Sequence, residues 1–209
     1  MPLQNRVNPF GELFATSVRG TLFGNRGGKF HTDGKTLTTR RWVSRQWICC
    51  VLDFKGRRRD VWGRSYTELF FLDEVTAFAA GHRPCFECRR KDAERFAALF
   101  PSVDPKSERM GGKRAGAMAM DAVLHAERLD GRAKRTQRRR LDALPDGAMI
   151  ALEGEAWAVR GPRLLRWTAA GYAGGRARPH RLTAEVLTPP SILTVLERGY
   201  GPLWHPSAG

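Results

Sequence analysis

The sequence predicts an α+β fold: a small β-hairpin/helix N-terminal subdomain, a basic helical connector, and a C-terminal β-meander with a short helix. Three observations predict it. Apolar residues alternate over 47–54, which marks a strand. Helix start and stop residues flank 73–81. Short alternating runs spaced by glycine follow Ala148, the pattern of a meander. The corresponding boundaries are 1–100, 101–144 and 145–209, and a hydrophobic content of 42% is enough to build a core.

The first forty residues, with "RGTLFGNRGGKFHTDGKTLTTRR", read as loops and short strands. The glycines of "GNRGG" can turn backbone N–H groups towards a phosphate. Neither a P-loop ending nor a dinucleotide fingerprint accompanies them. In "WICCVLDF", Ile48, Cys50, Leu52 and Phe54 share one face, while Trp47, Cys49, Val51 and Asp53 share the other. The basic turn "KGRRR" and the returning "DVWGRSYTELFFL" complete a hairpin.

Asp73 is a good N-cap for a short helix that Gly81 ends at its C′ position. "CFECRRKDAERFAALF" reads as a second helix closed by Pro101. Residues 102–144 are polar and basic, with "MAMDAVLHAERL" as their one amphipathic stretch. Beyond the meander, "AEVLTPPSILTVLERGY" adds a strand and a helix that Gly199 terminates.

Charge narrows the function classes. Lys and Arg number 36 against 21 Asp and Glu, a net charge of +15. That surplus favours polyanionic partners, with nucleic acid ahead of an anionic membrane surface. No apolar run reaches the ~20 residues of a membrane span. The N-terminal "MPLQNRVNPFGELFA" lacks the apolar block of a signal peptide, so a cytoplasmic location is expected. Thiols stay reduced there. Cys49, Cys50, Cys85 and Cys88 then read as metal ligands or core residues rather than disulfides.

The stretch "FFLDEVTAFAAGHRPCFEC" resembles the end of the zinc-binding N-terminal module of Ada-type DNA alkylation-repair proteins. In that family a strand and a short helix lead to Gly-x-Arg-Pro-Cys-x-x-Cys, which carries the last two zinc ligands. Gly81, Arg83, Pro84, Cys85 and Cys88 match it here. The resemblance implies a zinc-knuckle-like subdomain and a role in DNA repair. It covers about residues 70–89. The family's upstream Cys-x-x-x-Cys pair has no counterpart, Cys49–Cys50 standing in the chain instead, so its methyl transfer does not carry over.

Independently of that resemblance, Cys-x-x-Cys supplies two ligands of a tetrahedral Zn²⁺. Cys50 is the first choice for a third and Cys49 nearly as good, with His82, His31 and His125 as further candidates. Two other roles fit the pair: a helix start packed in the core, or a reactive thiol activated by Arg83, Arg89 and Arg90.

For catalysis, Asp121 and His125 stand four apart on one helical face, where the carboxylate can orient the imidazole. Lys113 is a candidate amine. The basic runs "KGRRR" (Arg57, Arg58, Arg59), Arg89–Arg90 and "RAKRTQRRR" (Lys134, Arg135, Arg138, Arg139, Arg140) read as a phosphate-binding surface. Trp42, Trp47 and Trp62 are candidates for base stacking, with at least two of the three expected in the core. These features point to a cytoplasmic DNA-binding protein of repair or genome maintenance supported by zinc, with DNA preferred to RNA and no membrane partner. The competing expectations are a glycosylase, lyase or nuclease acting on DNA, and an RNA-binding protein.

Overall fold

A computed structural model describes residues 1–102 and 115–209. The first sheet comprises β1 (Arg6–Val7), β2 (Leu13–Phe14), β3 (Leu22–Asn25), β4 (Ile48–Val51), β5 (Leu69–Phe71) and β6 (Arg83–Pro84). Their order is β2-β1-β5-β3-β4-β6. The strand "LFGN" of β3 is buried along its whole length. It can lie so close to β4 because Gly24 has no Cβ: one built there would fall 2.0 Å from the Ile48 carbonyl oxygen. The expected hairpin between 47–54 and the returning strand is therefore absent. β3 pairs antiparallel with both β4 and β5 and separates them.

Helix α1 (Glu74–Ala79) is capped as expected, with the Asp73 carboxylate accepting the Thr76 N–H at 2.8 Å. Gly81 follows at φ +82°, the left-handed conformation that glycine tolerates. All six residues of α1 are buried, because it lies between two layers. Ala77 packs with Val7, Leu69 and Phe71 of the first sheet. Val75 and Ala79 pack with Met149, Ala158 and Leu165 of the second. Phe78 joins Phe96 of α2 (Arg90–Leu99), Met120 and Leu124 of α3 (Ala117–Arg128), and Ile192 and Val195 of α4 (Pro190–Glu197).

Among the described residues the connector is helical over α3, as expected, but turns to strand after it. After α3 the chain makes the ribbon β7 (Leu129–Asp130) and β8 (Ala133–Lys134), then β9 (Gln137–Arg140). The last of these joins the second sheet, whose order is β13-β12-β11-β10-β14-β9. The other strands are β10 (Met149–Leu152), β11 (Glu155–Arg160), β12 (Arg163–Thr168), β13 (Gly171–Ala177) and β14 (Thr183–Val186). β10 to β13 form the expected meander, each strand antiparallel to the next. β9 extends it through antiparallel pairing with β14, Arg138 lying opposite Glu185. Among the described residues, no helix is long and apolar enough to cross a membrane.

Candidate metal centre and cationic cavity

Backbone pairing brings the cysteines together. β6 runs parallel to β4, with Cys49 opposite Pro84. The ladder continues one step as the Cys85 N–H donates to the Cys49 carbonyl at 3.0 Å. A turn closed by the Arg89 N–H on the Cys85 carbonyl, also at 3.0 Å, then folds Cys88 back. Both cysteines therefore precede α2 rather than lying within it. The sulfurs of Cys50, Cys85 and Cys88 all lie within 4.8 Å of one another. Tetrahedral Zn–S bonds of ~2.3 Å would set sulfurs about 3.8 Å apart, so the three donors suit a metal ion after a small contraction. Phe23 and Cys50 pack with Cys85 in a small apolar cluster that shelters the trio.

The thiols also bias one another. Hydrogen bonds from the Cys50 and Cys88 thiols depress the pKa of Cys85, aided by backbone N–H groups. Cys50 is pushed up for the complementary reason, donating to Cys85 and Cys88. Cys85 is thus the first thiolate, the form that binds metal.

Cys49 faces the other side of β4. Its sulfur accepts a hydrogen bond from Arg89 Nη1 at 3.3 Å, and burial pushes its thiol pKa up. His82 also lies outside the trio. Its ring packs 4.7 Å from Phe71 and 5.1 Å from Trp47, and its Nε2 accepts from Arg26 Nε at 3.4 Å. Burial, then the Arg26 charge, lowers the His82 pKa well below its usual value, so the ring is neutral. His31 stacks on Trp62 and bonds Thr67 and Gly63. The structure therefore brings together Cys50, Cys85 and Cys88, and leaves Cys49, His82 and His31 elsewhere.

The Asp121–His125 pair is not formed. Arg83 clamps the Asp121 carboxylate with two hydrogen bonds of 2.8 Å, both side chains being buried. His125 Nδ1 instead faces Arg128 Nη2 at 3.0 Å, and burial lowers its pKa. Lys113 lies outside the described residues.

The expected phosphate-binding runs meet more acid than their sequence suggests. Arg57 pairs with Glu87 at 2.7 Å, Arg90 with Glu94 at 3.3 Å, Arg135 with Asp130 at 3.7 Å and Arg139 with Glu197 at 3.8 Å. Arg140 Nε donates to Asp142 at 3.0 Å. Arg59 caps the Leu52 carbonyl and lies 3.9 Å over the Phe23 ring. Arg89 is withdrawn altogether: buried, it pairs with Glu74 at 2.7 Å and Asp92 at 2.8 Å. Arg58 and Arg138 remain exposed. The backbone of "GNRGG" is also used internally, the Arg26 carbonyl accepting from Val43 and the Gly27 N–H donating to Asn25.

The uncompensated charge collects elsewhere, around a cavity of about 630 Å³ between the first sheet, the end of α3 and the β7–β8 ribbon. Arg26, Arg41, Arg128, Arg132 and Lys134 line it, and Glu12 is its one acidic lining residue. Trp47 supports its floor, with the Arg26 and Arg128 guanidinium carbons each 3.9 Å from the ring centre. Arg128 reaches this position because Gly81 leaves room; a Cβ there would lie 2.6 Å from Arg128 Cδ. Burial lowers the pKa of Arg26 and of Arg128 to about 9, and that of Lys134 to about 7. Trp42, half-buried, forms part of the wall, whereas Trp47 and Trp62 are core residues. Sequence reading found Trp42 and, within the basic run from residue 132, Arg132 and Lys134, but missed Arg26, Arg41 and Arg128. They come from three separate segments, and only the fold collects them.

Compared with known proteins, the chain matches no family model, no curated protein and no solved structure.

Proposed function

We propose that the protein binds nucleic acid, with DNA preferred to RNA, in repair or genome maintenance. We further infer that a zinc ion held by Cys50, Cys85 and Cys88 supports the binding face. The observation that carries the nucleic-acid reading is a groove of about 450 Å³ lined by Thr39, Arg40, Arg41, Trp42, Val43 and Arg132. Arg41 donates to the carbonyls of Thr38 and Arg40, and Arg132 to that of Thr39. These bonds orient the guanidiniums without cancelling their charge. Among the described residues none of Arg40, Arg41 and Arg132 has an acidic partner within ion-pair distance. Phosphates neutralised by such side chains release condensed counterions, and a partly exposed Trp42 offers a base a stacking face.

The metal's contribution is structural. A zinc ion would tie β4 to the turn that precedes α2, and its binding energy would be folding energy. Three thiolates leave a fourth coordination position for a ligand other than the described Cys, His, Asp and Glu side chains.

The test is fluorescence anisotropy of labelled duplex and single-stranded oligonucleotides over a salt series. Binding that weakens steeply with salt, and is lost in the Arg40→Ala/Arg41→Ala/Arg132→Ala variant, supports the reading. Binding that is absent at low salt, or unchanged in that variant, removes it.

A further inference from the structure

The 630 Å³ cavity beside that groove has features that a surface for passing phosphates does not need. Arg26 and Arg128 are nearly inaccessible to solvent, at 2% and 1% exposure. Their hydrogen bonds go to neutral acceptors. Arg26 donates to the carbonyls of Gly11 and Arg41 and to His82, and Arg128 to the carbonyls of Gly81 and Arg45 and to His125. Lys134 donates to the Ala79 carbonyl, one acceptor for an ammonium with three N–H groups. Arg128 Nε is a buried donor with no partner.

Carbonyl oxygens satisfy direction but leave three positive charges gathered in a half-enclosed space. Among the described residues, no carboxylate pairs with Arg26, Arg128 or Lys134. Asp121, which acts on Arg128 through space, is already clamped by Arg83. Glu12 is exposed and held by Asn8 at 2.8 Å. Buried cations are ordinarily paired, so this arrangement is complete only with an anion. The lining also includes apolar and aromatic side chains, those of Phe10, Leu13, Phe14 and Trp42, the last packed 6.0 Å from the Trp47 ring. Its volume falls within the roughly 300–1,000 Å³ typical of small-ligand sites.

We propose that this cavity binds one phosphate-bearing nucleotide unit, the phosphate on Arg26, Arg128 and Lys134 and the base against Trp42. The unit is either a free nucleoside monophosphate or the 5′-phosphorylated end of a strand. The phosphate supplies acceptors that the Lys134 ammonium lacks, and its charge offsets the cost of gathering three cations, two of them shut from solvent. The choice of a nucleotide over other phosphate esters rests on the nucleic-acid reading, while the anion site itself does not.

The experiment is isothermal titration calorimetry of the full chain with dAMP, with 2′-deoxyadenosine, and with single-stranded oligonucleotides bearing a 5′-phosphate or a 5′-hydroxyl. The expected result is saturable dAMP binding and at least tenfold weaker binding of the nucleoside. Lys134→Met and Trp42→Ala should each weaken dAMP at least tenfold with an unchanged circular dichroism spectrum. The two variants are chosen because neither side chain is fully buried, unlike Arg26 and Arg128. A tenfold preference for the 5′-phosphorylated strand assigns the site to strand ends, and equal affinity for the two strands assigns it to free nucleotide. No dAMP binding, equal binding of dAMP and nucleoside, or undiminished binding by folded Lys134→Met overturns the proposal. Duplex binding without dAMP binding would overturn this inference and leave the nucleic-acid reading standing. Binding of dAMP without any oligonucleotide binding would do the reverse.

Discussion

Arg89 Nη1 stands 2.7 Å from Glu74 Oε1, with both side chains out of contact with solvent. The same guanidinium donates to the Cys49 sulfur, and the Glu74 carboxylate accepts from the Tyr200 hydroxyl at 3.0 Å and the Leu203 N–H at 2.9 Å. One ion pair therefore joins α2, β4, α1 and the C-terminal segment. A buried pair broken on one side leaves an uncompensated charge, which costs about 3–5 kcal/mol. Arg89→Met and Glu74→Gln are each expected to lower the urea unfolding free energy by that order. The double variant should lose less than the sum of the two. Additive losses would mean that the two groups are not coupled.

Metal content separates the two adjacent cysteines of β4. Purified protein should carry about one zinc per chain. Cys50→Ser, Cys85→Ser and Cys88→Ser should each lose it, whereas Cys49→Ser should keep it. A strong chelator should lower the melting temperature of the wild type and leave that of the three metal-free variants unchanged. Metal retained by Cys50→Ser would exclude the trio as the site.

Salt dependence distinguishes the two basic regions. Each duplex phosphate contact contributes about −0.9 to the slope of log K against log salt. Replacing Arg40, Arg41 and Arg132 with alanine should flatten that slope by up to about three units. Replacing Arg138, Arg139 and Arg140 should flatten it by only about one, because Arg139 and Arg140 face Glu197 and Asp142. A larger effect from the second set would move the interface to β9.

Lys134 gives the protein a pH signature. Burial, then the nearby Arg26 and Arg128 charges, lowers its folded-state pKa from 10.5 to about 7. A lysine with a depressed pKa takes up its proton more readily in the unfolded chain. Its contribution to stability is thus complete above about pH 10.5 and is lost as the pH falls towards about 7. Lys134→Met should abolish that part of the decline, measured by chemical denaturation between those limits. A variant whose pH profile parallels the wild type would show that Lys134 does not titrate in this range.

The legible parts of the fold were those with local causes. Asp73 and Gly81 bracket α1 because capping and a left-handed glycine are properties of neighbouring backbone. The meander showed because its strands alternate and its turns carry glycine. Cys50 was separable from Cys49 only as a question of which face, since period-2 geometry states that they differ and leaves the direction to β3 and β6. The hairpin over 47–72 failed because β3, from residues 22–25, takes the place between its two arms. β9 was missed because "QRRR" has no apolar alternation; its strand character comes from pairing with 183–186. The acidic partners of the basic runs likewise lie far away in sequence for Arg57 and Arg139, at Glu87 and Glu197.

The consecutive carboxylates of Asp73 and Glu74 also tie the two halves of the molecule into one unit. Asp73 accepts from the Tyr172 hydroxyl at 2.8 Å and from the His205 N–H at 3.1 Å. Glu74 waits likewise for Tyr200 and Leu203. These partners stand 99 to 132 residues further along the chain than the acids they serve. The two acids are therefore fully satisfied only when residues 172–205 are docked, so the two sheets are expected to unfold in a single transition.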